Sequence, residues 1–374
     1  MLAEKGKGDW MGGKVLHYYA GGNTAKGYIS LYDSALRGLK RVFLLQGGLR
    51  SDKSAFMNTV GETLRAEGYT IEYLHCASNN EWTEGLIVPD AGVGIIDDAV
   101  PEILKQAASE NLQITILENE RTTKNLSEHI DEIHQLNMDI SAKFQKAYTT
   151  FAESLKAHDD IEDIYIANMS FAKANELTNE LIDLFYGEET AGKTSNVKHR
   201  FLGAATPNGA VDYIQNLTED ICKRYFIKGR AGSGKSTMLK QIAAAGEEKG
   251  YDVEVYHCGF DPNSLDMVIL REKGIAIFDS TAPHEYDPER GTDEIIDMYE
   301  TCITPGTDEK FAAEIERTTK AYKEKMREAI SYLAEARNMM VKLENLKCIR
   351  NTATSVSLYG FVEEEIKLSL KQNK

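Results

Sequence analysis

A glycine-rich segment in the second half of the chain has the residue types and spacing of a phosphate-binding loop. Residues 229–236 read GRAGSGKS, with Thr237 next, and they lie between a predicted strand and a predicted helix. Glycine allows positive φ angles that turn backbone N–H groups toward oxygens, and the helix N-terminus adds its dipole. We therefore expect these residues to bind the phosphates of a nucleotide: Gly229, Arg230, Ala231, Gly232, Ser233, Gly234, Lys235, Ser236 and Thr237.

Chemistry at such a loop needs positive charge beside the phosphates. We expect Lys235 to reach the β- and γ-phosphates and the Ser236 hydroxyl to ligate Mg²⁺. Asp279 ends an apolar predicted strand and is the expected second magnesium ligand. A strand-end Asp can instead cap the next turn, but the first half of the chain has Asp97 at the matching position. The sequence therefore predicts a magnesium site at Ser236 and Asp279.

Four further residues follow predicted strands at the carboxyl edge of the sheet, where open α/β sheets bind ligands. His284 and Glu285 are candidates for orienting an attacking water or sensing the γ-phosphate. Asp261 is a candidate base or acceptor-binding residue, and Arg290 could stabilise a transferring phosphate. Each has a structural alternative, such as capping a turn. The predicted catalytic set is Lys235, Asp279, His284, Glu285 and Asp261.

The chain contains one unit twice. Residues 41–101 align with 223–283 at an offset of 182 residues without a gap, with 14 identities in 61 positions. The identities include glycines, the loop lysine and both strand-end aspartates. A small, polar segment near 187–197 separates the copies. We therefore predict two domains, residues 1–190 and 191–374, called here the first and second repeat, packed as an intramolecular pseudo-dimer.

Each repeat has the pattern of an α/β fold with a parallel sheet flanked by helices. A short strand comes first (about 15–20 or 197–203), followed by a turn and a helix. Near-continuous apolar runs then indicate strands buried on both faces. The expected strands are Val42–Gln46, Glu72–His75 and Gly92–Asp97 in the first repeat, and Arg224–Lys228, Val253–His257 and Gly274–Asp279 in the second.

The last third of each repeat is expected to be helical. Apolar residues at steps of three or four predict an amphipathic helix over about 308–346 in the second repeat. The first repeat keeps the same phase between Ile133 and Phe151. We expect this helix to pack on its own domain or on the other repeat. A partner-binding or coiled-coil arm is the alternative.

The loop of the first repeat departs from the phosphate-binding pattern. Residues 47–54 read GGLRSDKS, so Asp52 stands where Gly234 stands in the second repeat. At about 4 Å and an effective dielectric near 20, a carboxylate would repel a phosphate by roughly 4 kcal/mol. Asn79 and Glu102 replace Asp261 and His284. We expect this repeat to bind nucleotide weakly or not at all and to serve structure or regulation. Arg50 could also reach across to the second site, and the only feature that suggests this is its positive charge.

With both loops in view, the chain resembles bacterial proteins with tandem, duplicated P-loop NTPase domains, described only as ATPases or ATP-binding proteins. The resemblance rests on the phosphate loop, on His257-Cys258-x-x-Asp261 and on the string from Asp279 to His284, and it covers 15–101 and 197–300 by motif. It implies two tandem P-loop NTPase domains, each with a long C-terminal helical segment. It further implies ATP at 229–237 with Mg²⁺ on Asp279. It brings no defined substrate.

Composition excludes several classes of protein. Lys and Arg total 43 against 59 Asp and Glu, a formal charge of −16, which argues against general nucleic-acid binding. The apolar runs are too short to cross a membrane. Five cysteines, an odd number, are expected to be reduced thiols in the cytoplasm. The segment 1–14 lacks the apolar core of a signal peptide.

Three functions fit these features. An ATPase would use hydrolysis to rearrange the halves or the long helices. A phosphotransferase would act on a small molecule near Asp261, and a sensor or scaffold would bind nucleotide with little turnover. The absence of a guanine-reading Asn/Thr-Lys-x-Asp string favours ATP over GTP. Ser280 stands where a motor-like hydrolase would have Glu, which weakens the motor interpretation.

Overall fold

The computed structural model describes residues 12–98, 113–118, 129–347 and 355–372. The strands of the first repeat are β1 Val15–Tyr18, β2 Gly21–Thr24, β3 Gly27–Ser30, β4 Arg41–Gln46, β5 Ile71–His75, β6 Thr83–Val88, β7 Val93–Asp97 and β8 Gln113–Glu118. Those of the second are β9 Val197–Phe201, β10 Gly203–Thr206, β11 Gly209–Asp212, β12 Lys223–Lys228, β13 Val253–His257, β14 Leu265–Leu270, β15 Ile275–Asp279 and β16 Glu294–Asp297.

The helices are numbered in the same way, in chain order through both repeats. They are α1 Tyr32–Ala35, α2 Arg50–Ala66, α3 Ile130–Ile166, α4 Phe171–Tyr186, α5 Ile214–Leu217, α6 Lys235–Glu248, α7 Met298–Cys302, α8 Thr307–Lys310, α9 Ala312–Lys347 and α10 Ser355–Gln372. The expected long helix begins at 312, after the single turn of α8. No helix within the described ranges is both long and apolar enough to cross a bilayer.

Each repeat forms one six-stranded sheet, which confirms the predicted α/β class with two repeated units. The orders are β1-β5-β6-β7-β4-β8 and β9-β13-β14-β15-β12-β16. The expected fully parallel sheet is wrong in one respect, because β6 and β14 run antiparallel to both their neighbours. The hairpins β2-β3 and β10-β11 were also not expected from the sequence.

The sheet topology positions the phosphate loop. Strand β12 lies between β15 and β16 and is parallel to both. The carboxyl end of β12, where the loop begins, therefore lies beside the carboxyl end of β15, where Asp279 stands. The aromatic rings of Phe226 on β12 and Phe278 on β15 meet edge to face, with their centroids 4.6 Å apart, in the core between the repeats.

Each repeat places its last helix on the sheet of the other. Helix α4 packs through Leu181, Phe185 and Tyr186 against the second sheet and α6, and the Tyr186 hydroxyl donates to the Ile242 carbonyl at 2.8 Å. Helix α10 packs through Val362 and other apolar side chains against the first sheet and α2. The boundary at 190 divides the sequence repeat, whereas core packing crosses it in both directions.

Equivalent residues of the two repeats meet each other. Tyr19 and Phe201 stand 182 positions apart, and each donates its backbone N–H to the other's carbonyl at 3.0 Å. The long helices α3 and α9 pack together around Ala147 and Ala329, which are also equivalent. Equivalent residues therefore meet at two places in the junction, the Tyr19–Phe201 bridge and the α3–α9 helix pair.

A buried arginine breaks this equivalence. Arg200 is fully buried and stands where the first repeat has Tyr18. Its guanidinium donates to the Glu72 carboxylate of the first repeat at 3.0 and 3.1 Å, lies 3.6 Å from Glu254, and stacks on the Tyr18 ring. Because the surrounding dielectric is low, the buried Arg200 guanidinium and the buried Glu72 carboxylate each need the opposite charge of the other.

We expect Arg200→Ala to lower the free energy of unfolding by about 3–5 kcal/mol, because the buried Glu72 carboxylate loses its cation. Urea denaturation measures the change. The control is Lys14→Ala, which removes an exposed 2.7 Å pair with Asp220 and should cost at most about 1 kcal/mol. Equal losses in the two variants would contradict this assignment.

We expect the chain to stay in one piece after it is cut between the repeats. A specific protease site inserted at the exposed segment 187–190 leaves α4 on the first fragment, while its apolar face stays in the core of the second. Size-exclusion chromatography should show both fragments eluting together at the size of the uncut chain. Separate elution would show that the exchanged helices do not hold the halves together.

Candidate functional site

The phosphate loop turns from β12 into α6 through two glycines with positive φ. Gly232 has φ 72° and Gly234 has φ 88°, a region that other residues rarely adopt. The loop curls around its own carbonyl at Arg230, which accepts hydrogen bonds from Ser233 Oγ and Lys235 Nζ, both at 2.8 Å. The Lys235 ammonium also lies 3.5 Å from Asp279 Oδ2.

The first repeat covers this loop closely. A Cβ on Gly232 would lie 2.5 Å from the Glu162 carbonyl oxygen of α3, and one on Gly234 would lie 2.7 Å from the Met169 methyl. Both contacts come from the chain of the first repeat. Both glycines are therefore suited to the backbone turn, and Gly232 is also needed for the fit of α3 over the loop, whereas the Met169 methyl near Gly234 is the end of a flexible side chain.

A cavity of about 850 Å³ opens at this edge of the second sheet. It is lined by all of the loop residues 229–237 and by the whole predicted catalytic set, including Asp261, Asp279, His284 and Glu285. Helices α3, α4 and α9 close its other sides. Its volume is in the range of small-molecule and cofactor sites.

Both predicted magnesium ligands already make hydrogen bonds. Asp279 Oδ1 accepts from the backbone N–H of Thr281 at 3.0 Å and from its hydroxyl at 2.6 Å, so this carboxylate does cap the next turn. Its Oδ2 is the atom near Lys235. Ser236 Oγ accepts from the Leu265 N–H at 2.9 Å. A hydroxyl oxygen has two lone pairs, so this bond leaves capacity for a metal ion.

His284 is held by a carboxylate that sequence analysis missed. Its Nδ1 lies 2.8 Å from Asp212 Oδ2, and the Tyr286 hydroxyl donates to Asp212 Oδ1 at 2.8 Å. Burial alone would lower the pKa of His284. The hydrogen bond to Asp212 and the charges of nearby carboxylates, including Asp266, raise the pKa by more than burial lowers it, so the pKa of His284 lies above its usual value. Asp212 ends β11 of the unpredicted hairpin, so no pattern in the sequence indicated the pairing.

Asp266 is a second acid at the cavity that the sequence did not indicate. It lies within β14, is only 7% exposed, and its Oδ2 has no hydrogen-bond partner among the described residues. Burial raises the pKa of this carboxyl to about 6, and the charge of Asp279 adds to the rise. The charges of His284 and Lys235 and a hydrogen bond with the Cys258 thiol oppose it. A single Asp inside the apolar run LDMVIL carries no motif.

The remaining candidates have structural partners. Asp261 accepts from the Asn263 N–H at 3.2 Å and the Ser264 hydroxyl at 3.0 Å, which is the turn-capping alternative. Glu285 is exposed at the cavity rim. Arg290 donates to the Ile221 carbonyl at 2.8 Å and does not line the cavity, so the phosphate-stabilising role considered for it is not supported.

Helix α3 places three metal-binding side chain types over the loop. His158, Asp159 and Glu162 line the cavity, and one ligand atom from each lies within 4.8 Å of the others. Burial raises the pKa of Glu162, and His158 partly opposes the rise.

The first repeat fills the corresponding positions with its own side chains. Helix α2 begins at Arg50, whereas α6 begins at Lys235, the equivalent of Lys53, so residues 50–52 are helical and the positive-φ glycines of the first repeat are Gly47 and Gly48, ahead of the helix. The Glu344 carboxylate of α9 accepts the backbone N–H groups of Arg50 and Ser51 at 2.8 and 3.2 Å. An internal carboxylate thus occupies the N-terminal position where a phosphate would be bound.

The acids at the site of the first repeat are also paired, with cationic side chains of the same repeat. The Arg50 guanidinium donates to Asp97 at 3.1 Å and to Glu84 at 2.6 Å, and Lys53 pairs with Asp97 and Asp98. Arg50 therefore turns to the acids of its own repeat and not to the second site. Glu102, expected at the position of His284, lies outside the described residues.

The comparisons with known proteins add no family. No protein-family model, no curated protein and no solved structure matches the chain.

We expect Asp212→Asn to make His284 lose its proton at a lower pH, because the variant removes the negative charge that opposes the effect of burial. NMR titration of the ring protons, assigned with His284→Gln, measures this. Tyr286→Phe is the control, since it removes a hydrogen bond to Asp212 but not its charge, and should not lower the titration point. A His284 pKa that is unchanged in Asp212→Asn would contradict the pairing.

Proposed function

We propose that the second repeat binds ATP with Mg²⁺ and hydrolyses it, and that its domain is of the P-loop NTPase type. The observation that carries the proposal is the loop 229–236 at the β12–α6 junction, with two positive-φ glycines and a lysine beside a strand-end Asp, opening on a cavity of about 850 Å³. An anion-binding turn, a helix N-terminus and an acid for the metal are the parts that nucleoside triphosphate binding requires.

Each residue has a defined role in this proposal. Lys235 would leave the Arg230 carbonyl and donate to the β- and γ-phosphates. Mg²⁺ bound by Ser236 and Asp279 would neutralise charge that develops on the γ-phosphate. His284, oriented by Asp212, would hold or receive a proton near the attacking water.

The first repeat would be a closed structural counterpart in an intramolecular pseudo-dimer. Glu344 and Arg50 already satisfy its anion- and cation-binding groups, so a nucleotide would have to displace both. The reciprocal contacts between equivalent residues support the pseudo-dimer. We also propose a cytoplasmic location, where free cysteines such as Cys76, Cys222, Cys258 and Cys302 would stay reduced.

A nucleotide sensor is the second candidate. The close contact of Gly232 with α3 of the first repeat favours it, because a phosphate that moves the loop would also press on α3. The phosphotransferase alternative loses support, since Asp261 is engaged in its own turn. Measured phosphate release separates an ATPase from a sensor.

We expect one Mg-ATP per chain by calorimetry, with binding weakened at least about 100-fold in Lys235→Ala, since loop and lysine act together on the phosphates. Phosphate release should be lost in the same variant. Lys53→Met, at the equivalent position of the first repeat, is the matched control and should leave binding intact. Two sites per chain, or full binding by Lys235→Ala, would refute the proposal.

A further inference from the structure

In the first repeat, two acids on neighbouring strands, Glu84 and Asp97, bind the guanidinium of Arg50. The Arg50 guanidinium lies between Glu84 and Asp97, at 2.6 and 3.1 Å. The offset of 182 residues places Asp266 and Asp279 at the corresponding positions of the second repeat. Both pairs stand on matching neighbouring strands, β6–β7 and β14–β15. In the first repeat this pair of acids is a cation-binding site.

The second repeat keeps the acids but not the internal cation. The residue equivalent to Arg50 is Gly232, which has no side chain. Asp266 is nine-tenths buried at the cavity wall with Oδ2 unpartnered among the described residues. The nearby His284 ring directs its Nδ1 to Asp212, so it does not take the place of the guanidinium. A buried carboxylate oxygen without a partner is costly unless a ligand completes it.

The chemistry of the donors indicates the kind of cation. Asp266 is one methylene shorter than Glu84, which leaves more room between the acids. Two carboxylates with the hydroxyl of Ser236 nearby are hard oxygen donors of the kind that Mg²⁺ and Mn²⁺ prefer. Mg²⁺ usually keeps several water ligands, so a carboxylate can hold the ion through one of them.

We propose that Asp266 and Asp279 together bind a divalent cation, at the position that the Arg50 guanidinium takes in the first repeat. This inference rests on the proposed function, because it adds a second acid to the magnesium site of that proposal. It assigns a role to Asp266 and explains why a charged residue stands inside the buried strand β14.

The test is Mn²⁺ binding to the full chain without nucleotide, followed by electron paramagnetic resonance. We expect Asp266→Asn to weaken Mn²⁺ binding at least about tenfold, and Asp266→Ser, a smaller substitution, to act likewise if the amide variant folds poorly. Asp159→Asn is the matched control, because it removes a carboxylate of the same cavity from the α3 cluster. It should bind Mn²⁺ within about twofold of the unaltered chain.

Two results would overturn the inference. One is unchanged Mn²⁺ affinity in both folded Asp266 variants. The other is a loss that appears in Asp159→Asn and not at Asp266, which would place the ion under α3. Because no nucleotide is present, either result leaves the ATP measurement on Lys235→Ala untouched. An Asp266-dependent Mn²⁺ site in a chain that binds no ATP would instead refute only the proposed function.

Discussion

Charge balance at the carboxyl edge of each sheet is the constraint on which both repeats depend. Strands β7 and β15 end in aspartates and strands β6 and β14 contain buried acids, and such groups need compensating charge at low dielectric. In the first repeat Arg50 and Lys53 supply it, and Glu344 meets the backbone N–H groups of the loop. In the second repeat Lys235 and His284 lie near these acids, and our proposal assigns the rest of the balance to a divalent cation and phosphates.

The long helices α3 and α9 connect the charge balance at the first loop with that at the second. Glu344 of α9 reaches the first loop, and Glu162 of α3, its equivalent at the offset of 182, lies over the second. Since α3 and α9 pack on each other, the covers of both loops form one helical pair. A nucleotide that displaced α3 would therefore move a helix that packs on α9, the helix that carries Glu344.

Much of the sheet could be predicted from the sequence, because glycines and apolar runs mark strands such as β13 and β15 to within a residue. Strands β6 and β14 were missed since Glu84 and Asp266 interrupt their apolar pattern, and these are the residues that face the two sites. Residues that serve a site can therefore hide the pattern of the strand on which they lie. The exchange of α4 and α10 could not be predicted, because an apolar helix face suits either sheet. Asp52 in the first turn of α2 is a helix-start signal that periodicity analysis did not use.

The most direct test of the account is a crystal structure of the full chain grown with Mn²⁺ and a non-hydrolysable ATP analogue, with anomalous scattering used to locate the metal. We expect one nucleotide per chain, with its phosphates on 229–236 and one manganese peak beside Asp279 and Asp266. We also expect Arg50 and Glu344 to be unchanged in the first repeat. A nucleotide in the first repeat, or manganese only at His158, Asp159 and Glu162, would contradict it.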